Sequence, residues 1–155
     1  MLWRLRARIG YALARRLFHW AWLVKQPRGW RWLEGQFARM ANLGDVVAQS
    51  FYGHILLFRG QGLAAREEGV RLLRLAAIGG DAKAAYQLGT LSLAGDTRQA
   101  PDAAEALRWW TLAATAGHPL AAQRLADLYR VGGPGVPVDI EQAARFVQRA
   151  QELGL

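Results

Sequence analysis

Residues 117–154 read GHPLAAQRLADLYRVGGPGVPVDIEQAARFVQRAQELG, and residues 80–116 read GDAKAAYQLGTLSLAGDTRQAPDAAEALRWWTLAATA. Laid one on the other at an offset of 37, they align without a gap. Gly80 falls on Gly117 and then on Gly154, Ala84 on Ala121, and Leu88 on Leu125. In the second half Asp102 falls on Asp139, Ala106 on Ala143, Trp109 on Phe146, Trp110 on Val147, and Ala113 on Ala150. Self-similarity at a fixed period of this length marks a chain built by stacking one supersecondary unit.

The pattern extends towards the N-terminus. Gly44-Asp45 matches Gly80-Asp81 at an offset of 36, carrying Ala48, Tyr52 and Gly53 onto Ala84, Leu88 and Gly89. After a loop one residue shorter, Gly69, Leu72, Leu73 and Ala76 return to the offset of 37. Phe37, Met40, Ala41 and Gly44 fall on Leu73, Ala76, Ala77 and Gly80, the trace of a partial unit. The expected organisation is a distinct segment over 1–29, repeats over 30–155, a partial unit at 30–43, and full units at 44–79, 80–116 and 117–155.

Each unit reads as two helices. The first opens after Gly-Asp or Gly-His-Pro and holds a small residue midway (Gly53, Gly89, Ala126), which lets a paired helix approach closely. The second opens at its own cap signal. Asp102 precedes Glu105, and Asp139 precedes Gln142, by the spacing of a capping box. Arg66 stands at that place in the first full unit and cannot cap, so that helix either starts elsewhere or frays. Ala-Ala followed by Gly closes the second helix as a left-handed stop. The 28 alanines, few β-branched residues and five prolines between the periodic stretches all favour helix over sheet.

These residues resemble the Sel1-like repeat, a relative of the tetratricopeptide repeat. The likeness is carried by Leu125, Ala126 and Tyr129, by the turn Gly133, Gly135 and Val136, and by Asp139 opening the second helix. Unit 80–116 keeps LGTLSLAGD and AEALRWWTLAATAGH but replaces the Gly-rich turn with GDTRQAPD. The resemblance covers 44–155 well, 30–43 in part and 1–29 hardly at all. It implies an all-α fold: a short right-handed α-solenoid of antiparallel helix pairs, with an extra N-terminal amphipathic helix. It also implies an adaptor or scaffold role, mostly in bacteria for small free-standing members. By analogy with the tetratricopeptide groove, the exposed first-helix positions that would bind a partner protein or peptide are Ser50, His54, Lys83, Tyr86, Thr90, Gln123, Asp127 and Arg130. One of Trp109 and Trp110 is expected in the core, the other partly on the outer face.

Nothing in the chain forms a catalytic constellation. His19, His54 and His118 lack spaced partners, and no H-x-x-x-H or H-E-x-x-H pair exists. His118, at a repeat junction where other units have Asp, reads as a turn and capping residue. Ser50 and Ser92 lack a nucleophile elbow. Gly132-Gly133-Pro134-Gly135 lacks the following Lys-Ser/Thr of a phosphate loop and falls where the repeat needs a turn. Glu67-Glu68 occupies neighbouring helix positions, which do not share a face, and reads as a solvated patch. There is no Cys. The expectation is no enzyme activity, no cofactor and no metal.

The net charge of +8 is unevenly placed. Residues 1–33 hold eight basic side chains, no acid and five of the seven tryptophans. The remaining twelve basic groups and twelve acids cancel, which disfavours a uniformly basic nucleic-acid-binding domain. Leu2, Leu5, Ile9, Leu13, Leu17, Trp20 and Val24 recur at helical steps as one stripe. The uncharged run Leu17–Val24 is too short to span a bilayer. Arg15-Arg16 and the Lys25-Gln26-Pro27-Arg28 that follows argue against a cleaved signal, so the mature chain is expected to begin at Met1.

Two readings of this helix stand. In one, the stripe packs on the repeats and the arginines face water. In the other, residues 2–24 lie on the inner face of the membrane, with Arg4, Arg8, Arg15, Trp20 and Trp22 at an anionic surface. The expected location is cytoplasmic, peripheral to the membrane in the second reading.

Overall fold

A computed structural model describes residues 2–155; Met1 and the side chain of Leu2, the first member of the expected stripe, lie outside the described part. The described residues form helices α1 (Leu2–Leu17), α2 (Ala21–Lys25), α3 (Pro27–Asn42), α4 (Val46–Arg59), α5 (Gly62–Ile78), α6 (Ala82–Ala94), α7 (Ala103–Thr115), α8 (Pro119–Val131) and α9 (Ile140–Glu152). They divide into two compact units that part after Leu72, within α5.

In the second unit α6 packs on α7, α7 on α8, and α8 on α9. Each first helix starts at a side-chain cap. Asp81 accepts from the Ala84 N–H at 2.7 Å, and His118 accepts from the Ala121 N–H through Nδ1 at 3.3 Å. Asp102 and Asp139 cap α7 and α9 through the N–H groups of Glu105 (2.8 Å) and Gln142 (2.9 Å). The reciprocal arm of the expected capping box is replaced. The Asp102 N–H donates to the Ser92 carbonyl and the Asp139 N–H to the Tyr129 carbonyl, both at 2.8 Å. The start of each second helix is thereby tied to the first helix of its own pair. Glu105 turns instead to the Trp109 indole N–H, at 3.3 Å.

The helix ends repeat as faithfully. Gly80, Gly117 and Gly154 have φ of 97°, 90° and 100°. The N–H that follows each one reaches back to the carbonyl of Ala76, Ala113 and Ala150 respectively. This is the six-to-one bond of a Schellman stop, open to glycine because φ is positive. Between the helices Trp110 is 2% exposed, and its indole N–H donates to the Tyr86 carbonyl at 3.2 Å. A Cβ on Gly89 would overlap the Trp110 ring. The midpoint glycine is thus the space into which the aromatic of the second helix fits. Trp109 is half-buried beside it. In the last unit Gly133 and Val136 exchange two backbone hydrogen bonds of 2.9 Å, closing the Gly-rich turn over a buried Val136.

The first unit joins α1, α2, α3 and α4 to the start of α5. Asp45 caps α4 through the Ala48 N–H at 2.8 Å. Helix α5 begins at Gly62, so Arg66 lies inside it, and the first full unit starts its second helix early. A Cβ on Gly69 would come 2.9 Å from the Gly53 carbonyl, so the two helices meet backbone to backbone. The core is aromatic. Phe37 is fully buried, with Tyr11, Phe18 and Phe51 set edge-on around it.

Helix α1 departs from the expected packing. Its buried positions are Ala7 and Ala14, with Gly10, Tyr11, Leu17 and Phe18 half-buried on the same side. This small-residue face lies against α3, and a Cβ on Gly10 would overlap the Gln36 side chain. Leu5, Ile9 and Leu13 of the expected stripe point away and are each more than half exposed. The stripe packs on the body only in part: Leu17 and Val24 lie half-buried against the core, while Leu5, Ile9 and Leu13 stay outside. Alanine and glycine let the α1 backbone sit near α3, and Leu5, Ile9 and Leu13 are left outside. The helix also stops short of Val24, since α1 ends at Leu17 and Trp20 takes an extended conformation before α2 begins.

Candidate interaction surfaces

Two surfaces present the residues singled out by sequence. In the second unit the singled-out positions lie on α6 and α8. Lys83 and Thr90 on α6, and Gln123, Asp127 and Arg130 on α8, are exposed, while Tyr86 is half-buried. The two helices are bridged by the ring of His118, stacked on Tyr86 with centroids 4.4 Å apart and planes 10° from parallel. Thr90 donates back to the Tyr86 carbonyl at 3.1 Å, and Arg130 pairs with Asp127 at 3.2 Å. Burial, together with the nearby Lys83 charge, pushes the His118 imidazole below its ordinary value; Asp81 opposes this. The stack is a flat aromatic platform with Lys83 close by.

In the first unit the corresponding α4 positions are less available. Ser50 is only 7% exposed and is removed from the accessible set: α4 turns this hydroxyl towards its neighbours rather than to solvent. His54 is half-buried, its Nδ1 2.7 Å from the Ser50 carbonyl and its ring stacked on Phe58.

The second surface lies on α1 and α2. The exposed strip Leu5, Ile9 and Leu13 is flanked by the exposed Arg4, Arg8 and Arg15, with Trp20 and Trp22 exposed beyond the break. Arg15 lies over the Phe51 ring, 5.6 Å from its centroid, and Arg59 over Phe18 at 5.2 Å. These cations rest on aromatic faces and keep their charge outward. The Tyr11 hydroxyl is buried without a hydrogen-bond partner among the described residues, and burial raises its phenol; Arg15 nearby opposes this. No described helix is long and apolar enough to cross a membrane, and no group of three or more His, Cys, Asp or Glu among the described residues is placed to hold a metal ion. Sequence reasoning missed the small-residue face of α1 because both of its readings followed the large apolar side chains. The recurrence of Ala7, Gly10 and Ala14 on one side was the available signal.

The Sel1 repeat family matches residues 46–81, 82–118 and 119–155. The chain belongs to the Sel1 repeat family. A search of curated proteins gives no match. Among solved structures, a Sel1 repeat protein from Oxalobacter formigenes is 32% identical with a TM-score of 0.68, over 78% of this chain and 34% of its own. A protective antigen present in uropathogenic Escherichia coli strains, displaying an SLR fold, is 26% identical with a TM-score of 0.67, over 79% of this chain and 26% of its own. The chain thus spans about a third and about a quarter of the lengths of these two bacterial Sel1-type structures.

Proposed function

We propose that the protein is a non-enzymatic adaptor that binds an extended peptide or partner segment across the α6–α8 face of its second unit. The observation that carries this reading is the half-exposed Tyr86–His118 stack, which joins α6 to the start of α8, with exposed Lys83, Asp127 and Arg130 on the same two helices. A rigid aromatic platform with both charge signs on its helices suits a peptide with a central apolar residue and charged neighbours. Sel1 repeat architecture supports it, because a repeat solenoid presents side chains from successive first helices as one surface. Selection of a random dodecapeptide library on the full chain, followed by fluorescence anisotropy of the enriched peptides, tests it. Tyr86→Ala with Arg130→Ala should weaken those peptides by at least about tenfold, the range for losing a hot-spot aromatic, with helicity unchanged. Peptides that bind the double variant as tightly would move the site off this face.

One observation favours a second role, as a peripheral membrane factor. Leu5, Ile9 and Leu13 are turned to solvent among unopposed arginines, and Trp20 and Trp22 lie nearby. Apolar residues flanked by cations and tryptophans match the demands of an anionic bilayer interface. The repeats would then recruit their partner to that surface.

A further inference from the structure

The bilayer reading leaves open how the first unit would distinguish one lipid surface from another. Beside the exposed strip, a cavity of about 700 Å³ opens between α1 and the α3–α4 turn. Leu5, Met40 and Leu43 contribute its apolar lining, and Arg4 and Arg8 its positive charge. These arginines are one helical turn apart, so both side chains reach the same place. Both are exposed, and among the described residues neither is in an ion pair. The one carboxylate lining the cavity, Asp45, accepts the N–H that caps α4.

We propose that this groove seats the headgroup of an anionic phospholipid, with Arg4 and Arg8 donating to its phosphate oxygens. The inference rests on the reading of α1 as a bilayer contact and narrows it to a lipid class. Two guanidinium groups side by side favour a phosphate, because each forks onto a pair of its oxygens. The apolar lining favours a lipid over free phosphate. An acyl chain covers Leu5, Met40 and Leu43 and continues along Ile9 and Leu13, whereas a free anion leaves that surface wet. The eight basic residues and absence of acids in 1–33 supply the long-range attraction.

Co-sedimentation of the full chain with vesicles of phosphatidylcholine, with and without a minority of phosphatidylglycerol, provides the first test. Arg4→Gln with Arg8→Gln should lower partitioning onto the anionic vesicles about tenfold further than Arg6→Gln with Arg16→Gln, which removes the same charge from the same helix. Equal losses would overturn the groove and leave the bilayer reading standing. No binding of the unaltered chain to anionic vesicles would overturn both. A second readout needs no variant. The methyl resonance of Met40 should shift on titration with soluble dioctanoyl-phosphatidylglycerol and stay in place with glycerol 3-phosphate. No shift with the lipid, or an equal shift with glycerol 3-phosphate, would remove the lipid assignment.

Discussion

His118 shows how one residue changes the physics of an otherwise repeated joint. The other first helices start at Asp45 and Asp81, which cap through carboxylate oxygens. His118 caps through Nδ1, which accepts only while that nitrogen is unprotonated. Protonation converts the acceptor into a donor and sets a cation at the positive end of α8. Because burial and Lys83 lower its folded-state value, the neutral form is the one the fold favours. Its contribution is complete above the ordinary value of 6.5 and is lost as pH falls through the lowered folded value. Thermal unfolding should therefore show an acid-sensitive loss of about 1 kcal/mol, the worth of an N-cap. His118→Asp should abolish that sensitivity. An unchanged acid profile in the variant would assign the loss to another group.

At the scale of elements, the caps and stops of the repeat were legible because they are local. An Asp before a helix and a glycine after it act within a few residues, and α6 to α9 begin and end where those signals stand. That one of Trp109 and Trp110 is core was legible from the column Trp110 shares with Leu73 and Val147; the space Gly89 leaves for Trp110 appears only in the fold. The packing face of α1 was not legible, because periodicity ranks side chains by size and hydrophobicity. Ala7, Gly10 and Ala14 win the interface by permitting close packing, at the cost of leaving larger residues outside. Ser50 was misplaced for a related reason, since analogy with another groove fixes a position on a helix and leaves its depth undetermined. The arrangement of α1 makes a prediction opposite to the one its stripe suggests. Leu5→Ser, Ile9→Ser and Leu13→Ser together should change unfolding free energy by less than about 1 kcal/mol beyond helix propensity, while sharply reducing vesicle binding. Ala14→Leu should destabilise by about 1–3 kcal/mol through overpacking against α3. A triple variant that unfolds would restore the packed-stripe arrangement.

Across the whole molecule, charge and structure divide at the same place. The residues up to Leu72 carry the entire net charge of +8, and those from Leu73 onward carry eight basic and eight acidic groups. The two proposed activities should therefore separate by ionic strength. Vesicle binding by the first unit should fall steeply between about 0.05 and 0.5 M salt, as the screening length shrinks below the size of the basic face. Peptide binding on the α6–α8 face, carried by stacking, should change little. Parallel salt titrations of vesicle co-sedimentation and peptide anisotropy would show it, and an equal decline in both would place the two ligands on one surface.

The placement of the indoles gives the molecule a built-in optical reporter. Trp3, Trp20, Trp22 and Trp32 are open to solvent, and Trp110 is sealed between helices. Steady-state emission is therefore weighted towards the first unit, and a water-soluble quencher should divide the signal into an accessible and a protected fraction. A blue shift confined to the accessible fraction reports a change in the first unit, and a red shift of the protected fraction reports opening of the repeat core. One unlabelled sample then follows surface engagement and repeat integrity as separate colours.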